Sequence, residues 1–164
     1  MAEISLATFG SVITRILTIV PAYFLRKKYN KAWLASHTEI DLRPRNEPVR
    51  INGGDLPEVH VWLNITNHGY FLIELDRLNL ELIYAALNVR VPYIKKTEIQ
   101  PHSKVELFVR VPLTAGQINH ISKNVERPYI ALQVSAEFNS EIHNFSVDTG
   151  QLTGVNPSYI NLSH

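Results

Sequence analysis

The sequence predicts an all-β protein: an antiparallel sandwich of about seven strands with one short helix, preceded by an N-terminal membrane-seeking helix. Three observations carry this. Apolar residues alternate with polar ones at period two through at least five separate segments after about Trp33. Turn signals such as Asn52-Gly53-Gly54 and Pro101-His102-Ser103 divide those segments. Before them, from Ile4 to Leu25, runs an apolar stretch with a single charge, Arg15.

That stretch comes first in the chain. As a helix it would rise about 33 Å, enough for a hydrocarbon core of about 30 Å. Eleven Ile, Leu, Val and Phe residues favour insertion. Each contributes about −0.3 to −0.6 kcal/mol, against about +2.5 to +3.5 for a central Arg. With Ser5, Thr8, Ser11, Thr14, Thr18 and Pro21 also present, the sum lies near zero. The helical wheel separates two faces. Thr8, Ser11, Thr14, Arg15 and Thr18 fall in one arc with Ala7 and Ala22. Phe9, Val12, Ile13, Ile16, Leu17, Ile19, Val20 and Phe24 lie opposite.

Two outcomes fit such a helix. It lies in the interface with its apolar face in lipid, or it spans beside other helices, with Arg15 facing an acidic or carbonyl partner. The blander alternative is a helix packed on the protein's own body. The cluster Arg26, Lys27, Lys28 and Lys31 favours lipid, because anionic headgroups attract each such residue by about 1 kcal/mol. The predicted membrane or partner contacts are therefore Phe9, Val12, Arg15, Ile16, Ile19, Val20, Phe24, Arg26, Lys27 and Lys28. The positive-inside bias puts the following domain on the cytoplasmic side. A secretory signal is disfavoured, since Glu3 and no positive charge precede the apolar run.

The strands follow in order. "TEIDLR" is an edge strand. In "EVHVWLNITN", Val59, Val61, Leu63 and Ile65 share a face. "RLNLELIY" aligns Leu78, Leu80, Leu82 and Tyr84, and "LNVRVPY" aligns Leu87, Val89, Val91 and Tyr93. "KVELFVRV" aligns Val105, Leu107, Val109 and Val111. The helix "TAGQINHISKN" is capped by Thr114. "YIALQVSAEF" aligns Ile130, Leu132, Val134, Ala136 and Phe138, and "IHNFSVD" adds a last edge strand. The tail "GQLTGVNPSYINLSH" has little periodicity and is expected to run irregularly, with Tyr159, Ile160 and Leu162 available to dock on the domain or on a partner strand. Three units result: residues 1–31, the sandwich 32–150, and a tail 151–164.

Composition bounds the function. The chain has 164 residues, 45% of them hydrophobic, a formal net charge of +1 and no cysteine. Near-neutral charge gives no reason to expect nucleic acid. Without cysteine there are no disulfides, thiolate metal sites or cysteine nucleophiles. Seven histidines lack the spacing of a zinc site, and no cofactor is expected. His120 reads as a solvated or packing residue. No nucleophile elbow is present, and "NGGD" reads as a turn, because no strand–loop–helix follows it. The sequons at Asn64, Asn144 and Asn161 are read as unglycosylated.

The order "LNITNHGYF", "IELDRLNLELIYAALNV", "IQPHSKVELFVRVPL", short helix, "YIALQVSAEFN" resembles the late-embryogenesis-abundant group 2 family, also described as the water-stress and hypersensitive-response (WHy) domain. Asn64 and Asn67 match the asparagines of that family's turn after the first long strand, and Pro112 closes the matching later strand. His68-Gly69 stand where the family usually has proline and a small polar residue. The resemblance covers about residues 38–150. It implies an immunoglobulin-like fold, frequent membrane tethering, an association with stress, and no catalytic centre. The expected function is thus a non-enzymatic, membrane-tethered binding or stress-protective module. Its partners would be membrane lipid and a protein partner or a second copy, recruited for instance at an open sheet edge. The alternative is a small subunit of a larger membrane complex, held by its N-terminal helix.

Overall fold

The computed structural model describes residues 23–43, 47–126 and 130–162. Among these residues ten strands form two five-stranded sheets. The first contains β1 (Thr38–Leu42), β2 (Val49–Asn52), β3 (Glu58–Asn67), β7 (Ser103–Pro112) and β10 (Ser158–Ile160). The second contains β4 (Ile73–Tyr84), β5 (Leu87–Tyr93), β6 (Thr97–Ile99), β8 (Ile130–Ser140) and β9 (Phe145–Val155). Every pairing is antiparallel except β10 with β2. The all-β expectation therefore holds.

The alternation read from the sequence sets the core. Val59, Val61, Leu63 and Ile65 of β3 are fully buried, and meet Leu78, Leu80, Leu82, Val134 and Phe138 of the other sheet in one apolar cluster. Truncating one of the leucines among these to alanine typically costs about 2–5 kcal/mol, the transfer term plus the cavity. In β4 the inward phase slips: Ile73 and Leu75 are buried, then Leu78 and Leu80. A β-bulge between Leu75 and Arg77 absorbs the slip, leaving Asp76 unpaired with β8.

The structure departs from the sequence reading in its short elements. The sequence predicts about seven strands, and β2, β6 and β10 raise the number to ten among the described residues. They have four, three and three residues, too few to show a period. A helix α1 (Lys31–Ser36) precedes β1, its amide end capped by the Asn30 side chain, which accepts from Trp33 N at 2.9 Å. The expected helix is α2 (Ala115–Ser122), where Thr114 and Gln117 exchange the reciprocal bonds of a capping box.

The expectation of an irregular tail over 151–164 is corrected. Residues 151–155 complete β9, and β10 adds in parallel to β2, with Tyr159 opposite Ile51. Backbone proximity explains Gly53: a Cβ there would stand 2.8 Å from the Asn161 carbonyl oxygen. Among the described residues no helix is long and apolar enough to cross a membrane. The predicted helix Ile4–Leu25 falls outside the described residues up to residue 22, and residues 23–28 are helical.

Candidate functional site: the aromatic–basic end of the sandwich

One end of the sandwich gathers the side chains nearest the N-terminal segment. Tyr23, Phe24 and Leu25 are 63%, 63% and 44% exposed, and Arg26, Lys27, Lys28 and Lys31 are exposed beside them. Of the predicted contacts, Phe24, Arg26, Lys27 and Lys28 are thus accessible. Phe9, Val12, Arg15, Ile16, Ile19 and Val20 lie outside the described residues.

Aromatic packing fastens this stretch to the body. The Tyr29 ring meets Trp33 edge-on at 4.8 Å and Phe71 at 4.9 Å. Trp33 stacks on His37 at 3.8 Å, and His37 Nδ1 donates to the Trp33 carbonyl at 2.8 Å. Tyr70, 64% exposed, lies parallel to Trp33 at 6.1 Å and edge-on to His102 at 5.2 Å. His143 Nε2 donates to the Arg26 carbonyl at 3.1 Å, tying the β8–β9 loop to the helical stretch. Lys28 Nζ sits 5.2 Å above the Tyr29 ring.

Asn67 holds the turn on which this end rests. Buried to 2% exposure, it donates to the carbonyls of Phe71, Ile99 and Gln100 and accepts from Gly69 N. His68 N donates to the His37 carbonyl, and its Nε2 donates to Glu39 at 3.0 Å. That imidazole holds the Glu39 carboxyl below the usual range, while burial pushes neighbouring Asp41 up.

A second arrangement covers the outer face of the first sheet. Register sets Trp62 opposite Phe108, with ring centroids 5.1 Å apart, and His60 opposite Arg110. The Arg43 and Arg50 guanidiniums lie 4.7 and 5.5 Å over Trp62, and Arg110 lies 5.4 Å over Phe108. Sequence reading missed this platform. Its signal was available in the outward positions of the alternation, but the pairing depends on a register that the sequence does not print.

The described depressions are open, of about 410, 540 and 510 Å³. Among the described residues no three His, Cys, Asp or Glu side chains converge as metal ligands. His120 is a packing residue, donating through Nε2 to the Ala85 carbonyl at 2.8 Å.

No protein-family model matches the chain, and no curated protein matches it. Solved structures do. A Northeast Structural Genomics Consortium target, SoR45, is similar with a TM-score of 0.55 at 12% identity, over 80% of this chain and 95% of that one. A candidate ApaA protein from Bordetella pertussis is similar with a TM-score of 0.50 at 11% identity, over 77% and 95%. A candidate late embryogenesis abundant (LEA) protein is similar at 15% identity over 96% of this chain and 90% of that one, with a TM-score of 0.49. The first two share a fold with this chain. No family model matches the WHy domain that the sequence resembles.

Proposed function

We propose that the chain is a non-enzymatic module held at a membrane surface, with its N-terminal segment in lipid and its β-sandwich standing on the bilayer as a contact surface. One observation carries this reading. Exposed Tyr23, Phe24 and Leu25 are followed at once by exposed Arg26, Lys27, Lys28 and Lys31, and Tyr29 and His143 fasten that stretch to the body. An apolar-to-cationic step within a few residues suits the headgroup level, where apolar side chains face acyl chains and ammonium groups face phosphates. Tyr29, Trp33 and Tyr70 at the same end are the aromatic types that interfaces favour.

The WHy resemblance supports the absence of catalysis and a stress-protective setting. Tethering would raise the effective concentration of the sandwich toward anything else on the same membrane. Flotation tests the reading. The full chain is expected to rise with vesicles containing phosphatidylserine, and a chain that stays at the bottom of the gradient overturns it. Extraction by alkaline carbonate then separates a surface helix, which is stripped, from a spanning one, which is retained.

A further inference from the structure

β7 bonds β3 over ten positions without a bulge and, among the described residues, pairs with nothing on its other side. The other long outer strands are interrupted. β9 carries two register shifts and Gly150 at φ 62°, and β5 contains Pro92. A long regular edge is what sheets ordinarily avoid, because its unpaired amides and carbonyls template another strand.

Hydrogen-bond parity shows what this edge offers. Leu113 N donates to the Pro57 carbonyl at 2.9 Å, one step beyond the pair Glu58–Pro112. Alternation in an antiparallel ladder then turns the N–H and C=O of Leu107, Val109 and Val111 toward β3. Those of Lys104, Glu106, Phe108 and Arg110 face outward. The side chains of these four are exposed.

We propose that β7 is a homotypic docking edge, where two copies of the chain pair antiparallel with Phe108 against Phe108 at the two-fold axis. This register sets Glu106 opposite Arg110 of the second copy, and Arg110 opposite its Glu106. Like-for-unlike charge over the longest span selects it: centring on Val105 also sets Lys104 opposite Glu106, but pairs only residues 103–107 of the strand, against 104–112 here. Shifting the centre to Leu107 puts Lys104 opposite Arg110; shifting it to Val109 puts Glu106 opposite Pro112; shifting it to Arg110 puts two guanidiniums face to face. In the Phe108-centred register Lys104 meets Pro112, whose missing N–H ends the ladder.

The present contacts leave both charges ready. Among the described residues Arg110 has a ring contact, with Phe108, and no ion pair. Glu106 uses Oε1 for Arg43 at 3.4 Å, which leaves Oε2 for a second cation. Docking would also join the two Trp62–Phe108 pairs into one aromatic row across the axis.

The test uses the full chain in a non-ionic detergent and reads the edge itself. Amide hydrogen exchange at Lys104, Glu106, Phe108 and Arg110 is expected to slow by about tenfold or more as protein concentration rises into the dimeric range, since a dimer buries these amides. Equal, fast exchange at every concentration overturns the proposal, whatever the N-terminal segment does. Glu106→Arg and Arg110→Glu are each expected to weaken the dimer about tenfold by sedimentation, and the double variant to restore it to within about threefold. A double variant that stays monomeric overturns the register and the proposal with it. Phe108→Pro removes an outward amide while sparing the β3 ladder; a folded variant that remains dimeric is equally fatal.

Discussion

Asn67 donates through one NH₂ group to three carbonyls, and its carbonyl oxygen accepts from Gly69 N. The bond to the Ile99 carbonyl is buried and those to Phe71 and Gln100 are partly so, which limits the water that could replace the amide. Asn67→Ala is therefore expected to lower stability by about 2–4 kcal/mol, read as a shift in urea midpoint at constant slope. Asn67→Asp should cost more, because a carboxylate would face the same three carbonyl oxygens. Tyr84 and Tyr159 make a second residue-scale case. The buried Tyr84 hydroxyl donates to the Asn124 carbonyl at 2.6 Å and lies 3.1 Å from the Tyr159 hydroxyl. Burial, then the bond to Tyr84, pushes the Tyr159 phenol up from its ordinary value. The sign follows: the folded state keeps a proton that the unfolded chain releases above about pH 10. Stability from this group is intact below that pH and falls as pH rises past it. Urea midpoints taken from pH 9 upward should drop more steeply for the wild type than for Tyr159→Phe, and identical slopes would refute the assignment.

At the scale of elements, the β4–β5 hairpin breaks a local rule. Tyr84 pairs with Leu87, so Ala85 and Ala86 form a two-residue turn, with φ of 44° and 69°. Asn-Gly suits that geometry; alanine pays for it sterically, at roughly 1–2 kcal/mol for a residue held in the left-handed region. Part of the compensation is visible in His120, whose ring donates to the Ala85 carbonyl from α2. Ala85→Asn combined with Ala86→Gly is expected to raise stability by about 1 kcal/mol, measured by thermal or urea unfolding. A loss would mean that the alanines are held by packing, not tolerated against strain. The same scale shows what a reader of the sequence could see. β3, β7 and β8 run for ten or eleven residues, long enough for period two to declare itself. β10 has three residues, and its existence depends on β2 lying beside it and on Gly53 admitting the chain. That is information held by the fold, not by a local window.

For the whole molecule, the candidate site was legible where it is consecutive and hidden where it is assembled. The run Arg26, Lys27, Lys28 stands in the sequence as written, and the structure keeps it exposed. The platform of Trp62 and Phe108 joins residues 46 positions apart through the β3–β7 register, which no single stretch announces. The membrane reading rests on the consecutive part, so it is tested there. Each cation near an anionic surface contributes about 1 kcal/mol, so replacing Arg26, Lys27 and Lys28 together by Gln should weaken binding to phosphatidylserine vesicles about a hundredfold. The substituted side chains are exposed, so the fold should be unaffected. Added salt should weaken the wild type far more than the variant, because screening acts only on the charges that remain. Neutral vesicles isolate the apolar share: there the two proteins should bind alike, through the segment that ends in Tyr23, Phe24 and Leu25. If the variant binds anionic vesicles as tightly as the wild type at low salt, this end of the sandwich does not face the bilayer.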